Sequence, residues 1–188
     1  MERLSSAREE IEAWCRGRSP WPRAALLLWM AYVGLRHLGN PDYSSVMGAL
    51  NLGIHEGGHL LFGWFGWTFL MIAGGTLLQL LAPIGAALMF ARQPDWFGAS
   101  FCGFWLGTNL YHVATYAADA REMDLPLVSV GGGEALHDWN FMLSALHLLP
   151  WDTAIAAVFR LLAFLFVWGS ILSGIWMVVR MARNAQGE

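Results

Sequence analysis

Long apolar runs broken by short polar turns set the pattern of this chain. A helix crosses the hydrocarbon core of a bilayer in about 20 residues. By that measure residues 21–38 form a first run, closed by Gly39-Asn40-Pro41-Asp42. Residues 43–65 form a second, rich in glycine (Gly48, Gly53, Gly57, Gly58, Gly63). Residues 67–91 form a third, interrupted by Pro83, and residues 96–118 a fourth after the turn Arg92-Gln93-Pro94-Asp95. The long polar connection 119–137 follows and holds Gly131-Gly132-Gly133. Residues 137–149 are too short to span and read as an interfacial or re-entrant helix, and residues 161–179 are the last clear span. Ahead of all of these, residues 1–20 are polar. Ser6 followed by Glu9 and Glu10 predicts a helix start lying at a membrane surface.

The pattern predicts an all-α fold, a polytopic transmembrane helix bundle of five to six membrane segments with a short N-terminal interfacial helix. One domain covers 21–183, with 1–20 and the tail 184–188 outside it. The 1–20 segment does not read as a signal peptide, because the apolar run comes late and no small-residue cleavage site follows. Composition agrees: of 188 residues 56% are hydrophobic and 13% charged, about half the charge of a soluble domain. All 11 basic residues are Arg and the net charge is −3, which speaks against a nucleic-acid partner and leaves membrane lipids as the surroundings.

Arginines orient membrane helices, since cytoplasmic loops carry the excess. With alternating crossings, Arg3, Arg8, Arg16, Arg18, Arg23 and Arg121 share one side against Arg36 and Arg92. This places the N-terminus in the cytoplasm of a cell inner or plasma membrane. Five crossings would put Arg180 and Arg183 outside, against the rule. Either 137–149 helps make a sixth crossing or the rule fails here.

The second run carries the chemistry. His55-Glu56-Gly57-Gly58-His59 is an H-E-x-x-H sequence. On a helix, residues four apart share a face, so both imidazoles can hold one metal ion while Glu56 serves as general base. Composition alone predicts roughly 0.008 such matches in a chain of this length. Three ionisable groups inside an apolar run also need a reason to be there, which two packed histidines do not supply. H-E-x-x-H in a hydrophobic span of a small polytopic protein resembles the site-2 protease family of intramembrane zinc metallopeptidases. The resemblance implies that His55 and His59 bind Zn²⁺, that Glu56 is the catalytic base, and that an Asp on a later membrane helix is the third ligand. In that family the Asp sits in Asn-Pro-Asp-Gly or Leu-Asp-Gly. Neither occurs here, and Asn40-Pro41-Asp42-Tyr43 precedes the motif.

A catalytic zinc site takes three protein ligands and keeps one open position. Two places offer the third ligand. One is the end of the polar connection, where glycines let His137 or Asp138 fold back over the site. The other is a polar stripe on the fourth run, Asn109, His112, Tyr116 and Asp119, spaced i, i+3, i+7, i+10 on one helical face. His137 is the preferred third ligand. His112, Asp119 and Asp138 stand as alternative ligands or groups behind the ligands, with Asn109 and Tyr116 as substrate-binding residues. Gly53 and Gly57, with Gly58 beside them, are spaced for a close helix approach. Gln79 reads as a helix-to-helix hydrogen bond, and His37 and His147 as interfacial residues.

The expected function is an integral membrane zinc metalloprotease, a hydrolase performing intramembrane proteolysis on a transmembrane-helix substrate. The chain offers no sizeable domain outside the apolar region, so an accessory membrane protein is a possible partner in substrate recognition. Iron or manganese also suit a His-rich site. Two other classes share these residues. One is a metal-dependent membrane enzyme acting on a lipid or small apolar molecule. The other is a non-catalytic metal-binding transporter, sensor or pseudoprotease.

Overall fold

The computed structural model describes residues 2–40, 42–126 and 136–186. Among them it is all-helical: α1 (Glu2–Cys15), α2 (Trp21–Gly39), α3 (Gly48–Gly63), α4 (Thr68–Arg92), α5 (Trp96–Ala118), α6 (Asp138–Ala145), a short 3₁₀ turn (Leu149–Trp151) and α7 (Asp152–Gln186). Local signals place several ends. Pro22 occupies the first turn of α2, where its missing N–H is no loss. Asp95 caps α5, its carboxylate accepting the Gly98 N–H at 3.0 Å. Pro83 lies inside α4 without ending it.

The helices pack in the order α3, α4, α5, α7, with α2 and α1 resting on α7. Glycines let the backbones approach. A Cβ on Gly58 would run into the backbone of Gly74 and come within 2.8 Å of Gly75 Cα, so α3 and α4 touch there through bare main chain. A Cβ on Gly107 would lie 2.8 Å from Val167 N, which brings α5 against α7. Gly53, by contrast, faces open space, and Gly57 meets only Leu78 at 3.9 Å, so of the three expected glycines Gly58 makes the close approach. The main core is built from Met30, Val33, Phe104, Leu110, Val167 and Ile171. Cys15 and Cys102 are buried free thiols.

Pairings fix the helix directions. Gly98 abuts Phe90, and Gly174 abuts Leu27 and Phe97. Glu12 pairs with Arg180 at 3.0 Å. The starts of α2 and α5, the ends of α4 and α7, and α1 therefore share one end of the bundle. At the opposite end, Arg121 after α5 donates to Asp152 at the start of α7 at 2.6 Å. The end of α2 also lies toward that opposite end, since His37 stacks on Tyr111 with ring centroids 4.5 Å apart and Thr115 donates to Asp42 at 2.8 Å. The chain then turns inward. Asn51, in the first turn of α3, accepts from Trp105 Nε1 at 2.8 Å, and Trp105 lies ten residues, about 15 Å, down α5 from Thr115. From there α3 climbs back to the opposite end, where a short turn leads into α4.

This differs from the expected run of crossings in two places. The 43–65 run is a dip followed by a 16-residue helix. The 137–149 stretch, expected to be too short to span, yields the eight-residue α6. The last run extends into the 35-residue α7. Two helices are long and apolar enough to cross a membrane, Thr68–Arg92 and Leu149–Ala185. The α2 run is diluted by Arg23, Arg36 and His37, and α5 by its glycines and polar stripe. The outer surface is apolar, with Trp64 91%, Leu28 73% and Leu60 69% exposed. His37 is buried against Tyr43 and Tyr111 rather than interfacial. His147 is exposed.

Candidate metal centre

Helix α3 presents His55 and His59 toward α4, with their rings edge-to-face at 4.8 Å between centroids. Each ring is held from behind through Nδ1. His55 Nδ1 donates to the Gln79 side-chain oxygen at 3.0 Å, and His59 Nδ1 donates to the Met71 carbonyl at 3.0 Å. Gln79 is itself fixed, because its amide donates to Asn109 Oδ1 and Asn109 Nδ2 donates to the Gln79 carbonyl, both at 3.1 Å. Protons on both Nδ1 atoms leave the Nε2 lone pairs facing forward, the tautomer a metal requires.

Both Nε2 atoms converge on Asp138. Its Oδ2 lies 2.9 Å from His55 Nε2 and 3.2 Å from His59 Nε2, and the three donor atoms all lie within 4.8 Å of one another. Ligands around a tetrahedral zinc at 2.0–2.1 Å stand about 3.3 Å apart, so the spacing fits after a small outward relaxation. Without an ion, His55 Nε2 and Asp138 Oδ2 stand at hydrogen-bond distance, a contact that an ion between them would replace. Burial pushes the Asp138 carboxyl up, but the His55 and His59 imidazoles outweigh it and hold it below the usual carboxylate range. Gly75 forms the floor. A Cβ there would sit 2.6 Å from both Nε2 atoms, so only glycine leaves room in front of them.

The expected third ligand, His137, does not join this cluster; its neighbour does. His137 is the N-cap of α6. Its Nδ1 accepts the Asn140 N–H at 3.1 Å and its Nε2 donates to Asp119 at 3.1 Å. A cap side chain folds back over its own helix, whereas the next residue projects outward. Asp119 holds the connection that leads from α5, accepting the Asp124 and Leu125 N–H groups at 3.0 and 3.1 Å. Tyr116 Oη accepts the Asp138 N–H at 3.1 Å, and Asn140 donates to the Ala120 carbonyl at 2.7 Å. His137, Asp119, Tyr116 and Asn140 thus act together to aim Asp138. Asn109, expected to touch substrate, is fully buried behind Gln79. The glycines 131–133 of the polar connection lie outside the described residues.

In front of the cluster is a cavity of about 750 Å³ between α3, α4 and α5, lined also by Leu125, Pro126 and Leu136. Half-buried Glu56 lines it with His55, His59 and Tyr116. His112 also lines it, away from the three converging donors. Sequence reasoning missed Gly75, Asn51 and Thr76 as parts of this site. Asn51 stands one turn before His55, a spacing that could have flagged it.

No family model, curated protein or solved structure matches the chain.

Proposed function

We propose that the protein is an integral membrane zinc-dependent peptidase, similar to the site-2 proteases, cutting peptide bonds in or near the membrane. The observation that carries this reading is the convergence of His55 Nε2, His59 Nε2 and Asp138 Oδ2, with both tautomers set from behind and glycine space in front. Two His and one carboxylate is the ligand set of hydrolytic zinc sites. When bound, zinc supplies Lewis acidity and lowers the pKa of a coordinated water. Glu56, beside the first ligand and facing the cavity, accepts a proton from water and delivers it to the leaving amine. Tyr116 and His137 keep Asp138 in register.

Membrane insertion rests on the apolar exterior and the two long helices. With α2, α4, α5 and α7 crossing and α3 dipping in and out from one side, the arginine conflict disappears. Arg3, Arg8, Arg16, Arg18, Arg23, Arg92, Arg180 and Arg183 fall on the side of both termini, against Arg36 and Arg121 opposite. The positive-inside rule then makes the termini cytoplasmic and opens the site toward the other face.

The test is metal content by mass spectrometry on detergent-purified protein, with Glu56→Gln assayed beside it on membrane-peptide substrates. One zinc per chain, kept in Glu56→Gln while cleavage is lost, is the expected result. Wild-type protein that takes up no zinc, or a Glu56→Gln variant that still cuts, overturns the reading.

A further inference from the structure

At the end of the bundle that holds α1, far from the metal cluster, two arginines lie against one indole. The guanidinium carbon of Arg18 is 4.5 Å and that of Arg23 5.3 Å from the centroid of the Trp14 ring, so the two charges are at most about 10 Å apart. Each is tied in place by one N–H. Arg18 Nε donates to the Trp14 carbonyl at 2.8 Å, and Arg23 Nη1 donates to the Ser19 carbonyl at 3.0 Å. Trp14 is 9% exposed and packs into the main core, so the platform shared by the two arginines is fixed to the bundle.

Neither arginine has a carboxylate among the described residues. Glu12, the nearest acid along the chain, already holds Arg8 at 3.1 Å and Arg180 at 3.0 Å through one oxygen. A guanidinium carries five N–H donors, and the carbonyl bond uses one on each, which leaves four on each without a protein partner. Two like charges held on one ring repel, and an anion beside them turns that repulsion into attraction.

Position selects the anion. Trp21, between the two arginines in sequence, is 79% exposed, and Leu28, two turns further along the same face of α2, is 73% exposed. The apolar outer face of α2 therefore begins where the arginines stand. That is the level at which the headgroups of a bilayer meet its hydrocarbon. The planar fork of a guanidinium matches phosphate oxygens.

We propose that Trp14, Arg18 and Arg23 form a binding site for anionic phospholipid headgroups in the leaflet at that end. The headgroup phosphates take the N–H groups that the protein leaves unused. A zwitterionic lipid carries its own ammonium beside the phosphate and competes poorly. The site rests on the membrane reading and is independent of the metal and of peptide cleavage.

Full-length protein in neutral detergent micelles is offered equal amounts of phosphatidylglycerol and phosphatidylcholine with the same acyl chains, and bound lipid is counted by native mass spectrometry. One arginine near an anionic surface is worth roughly a fivefold preference, so wild type should favour phosphatidylglycerol about 25-fold. Arg18→Gln and Arg23→Gln should each cut that about fivefold, and the double variant should bring the two lipids nearly level. The single variants carry the test by themselves where the double variant does not fold. Arg92→Gln, at an exposed arginine of the same end with no ring beneath it, should leave the preference unchanged. Equal or absent binding in wild type, a preference that survives both substitutions, or one that falls as far in Arg92→Gln overturns the site. Glycerophosphoglycerol, the headgroup without acyl chains, is added as competitor. Displacement of the lipid at equal concentration would make this a site for soluble phosphate and overturn the lipid assignment. Extraction of membranes with alkaline carbonate tests insertion separately. Protein released by carbonate with its preference intact would sink the membrane reading and leave the site standing, while retained protein without preference would do the reverse.

Discussion

Gly75 offers the sharpest test of the metal centre, because it touches the site without contributing a ligand. In Gly75→Ala the new methyl would sit 2.6 Å from both His55 Nε2 and His59 Nε2. Ordinary carbon–nitrogen contact is about 3.4 Å, so the rings must retreat by about 0.8 Å, against a tolerance in metal–ligand distance of about 0.2 Å. The rings cannot yield freely, since Gln79 and the Met71 carbonyl hold them from behind. The methyl also fills the space an ion needs. Changing a group behind the ligands typically lowers metal affinity 10–100-fold, and blocking the coordination space should exceed that range. Overpacking costs about 1–3 kcal/mol and the helix propensity of Ala returns about 1, so metal-free stability should fall by no more than about 2 kcal/mol. Gly85, on the same helix, is the control: a Cβ there meets nothing within 4 Å. Gly85→Ala should leave zinc affinity unchanged. The assay is zinc competition against a chromophoric chelator on micelle-solubilised protein, with thermal unfolding in excess EDTA alongside. Wild-type zinc affinity in Gly75→Ala would refute the placement of the ion between the two imidazoles.

Three further outcomes follow from the same geometry. Asp138→Ala should abolish stoichiometric zinc in metal analysis, whereas His137→Ala, which loses the cap, the bond to Asp119 and the ring contact with Tyr116, should retain the site with affinity lowered about 10–100-fold. Equal losses in the two would reverse the assignment of ligand and support. Gln79→Leu removes the acceptor of His55 Nδ1–H and should weaken zinc about 10–100-fold in the same competition assay; Asn109 Oδ1 loses its donor while Asn109 Nδ2 keeps its bond to the residue-79 carbonyl. Arg121 donates to the buried Asp152 carboxylate at 2.6 Å, so Asp152→Asn should lower the melting temperature and Arg121→Gln should lower it little further in that background; additive losses would show that the pair is not responsible.

The helical class, the apolar exterior and two of the three converging residues were legible in the sequence, because each depends on local pattern. Apolar runs near 20 residues demand helices in which every backbone group is satisfied internally. H-E-x-x-H needs only the 3.6-residue period to put His55 and His59 on one face. Gln79 was visible as a polar residue in mid-run, and the spacing of Asn109, His112, Tyr116 and Asp119 as one face of α5.

What remained belonged to the tertiary structure. Choosing Asp138 over His137 turns on a single residue of offset at the start of α6, and that offset is set by Asp119, Tyr116 and Asn140 reaching across from other segments. Sequence proximity makes the two equivalent; the direction of a cap side chain does not. The fate of the 43–65 run was equally hidden. Its apolar content suits a crossing, but Gly58 lets the backbone of α3 meet α4 directly, and Asn51 finds Trp105 deep in the bundle, so the segment enters and leaves at one end. Hydropathy reports the solvent each residue prefers. It carries no information about which distant backbone a glycine will admit, and that contact decides both where His55 and His59 stand and how the arginines are divided between the two ends.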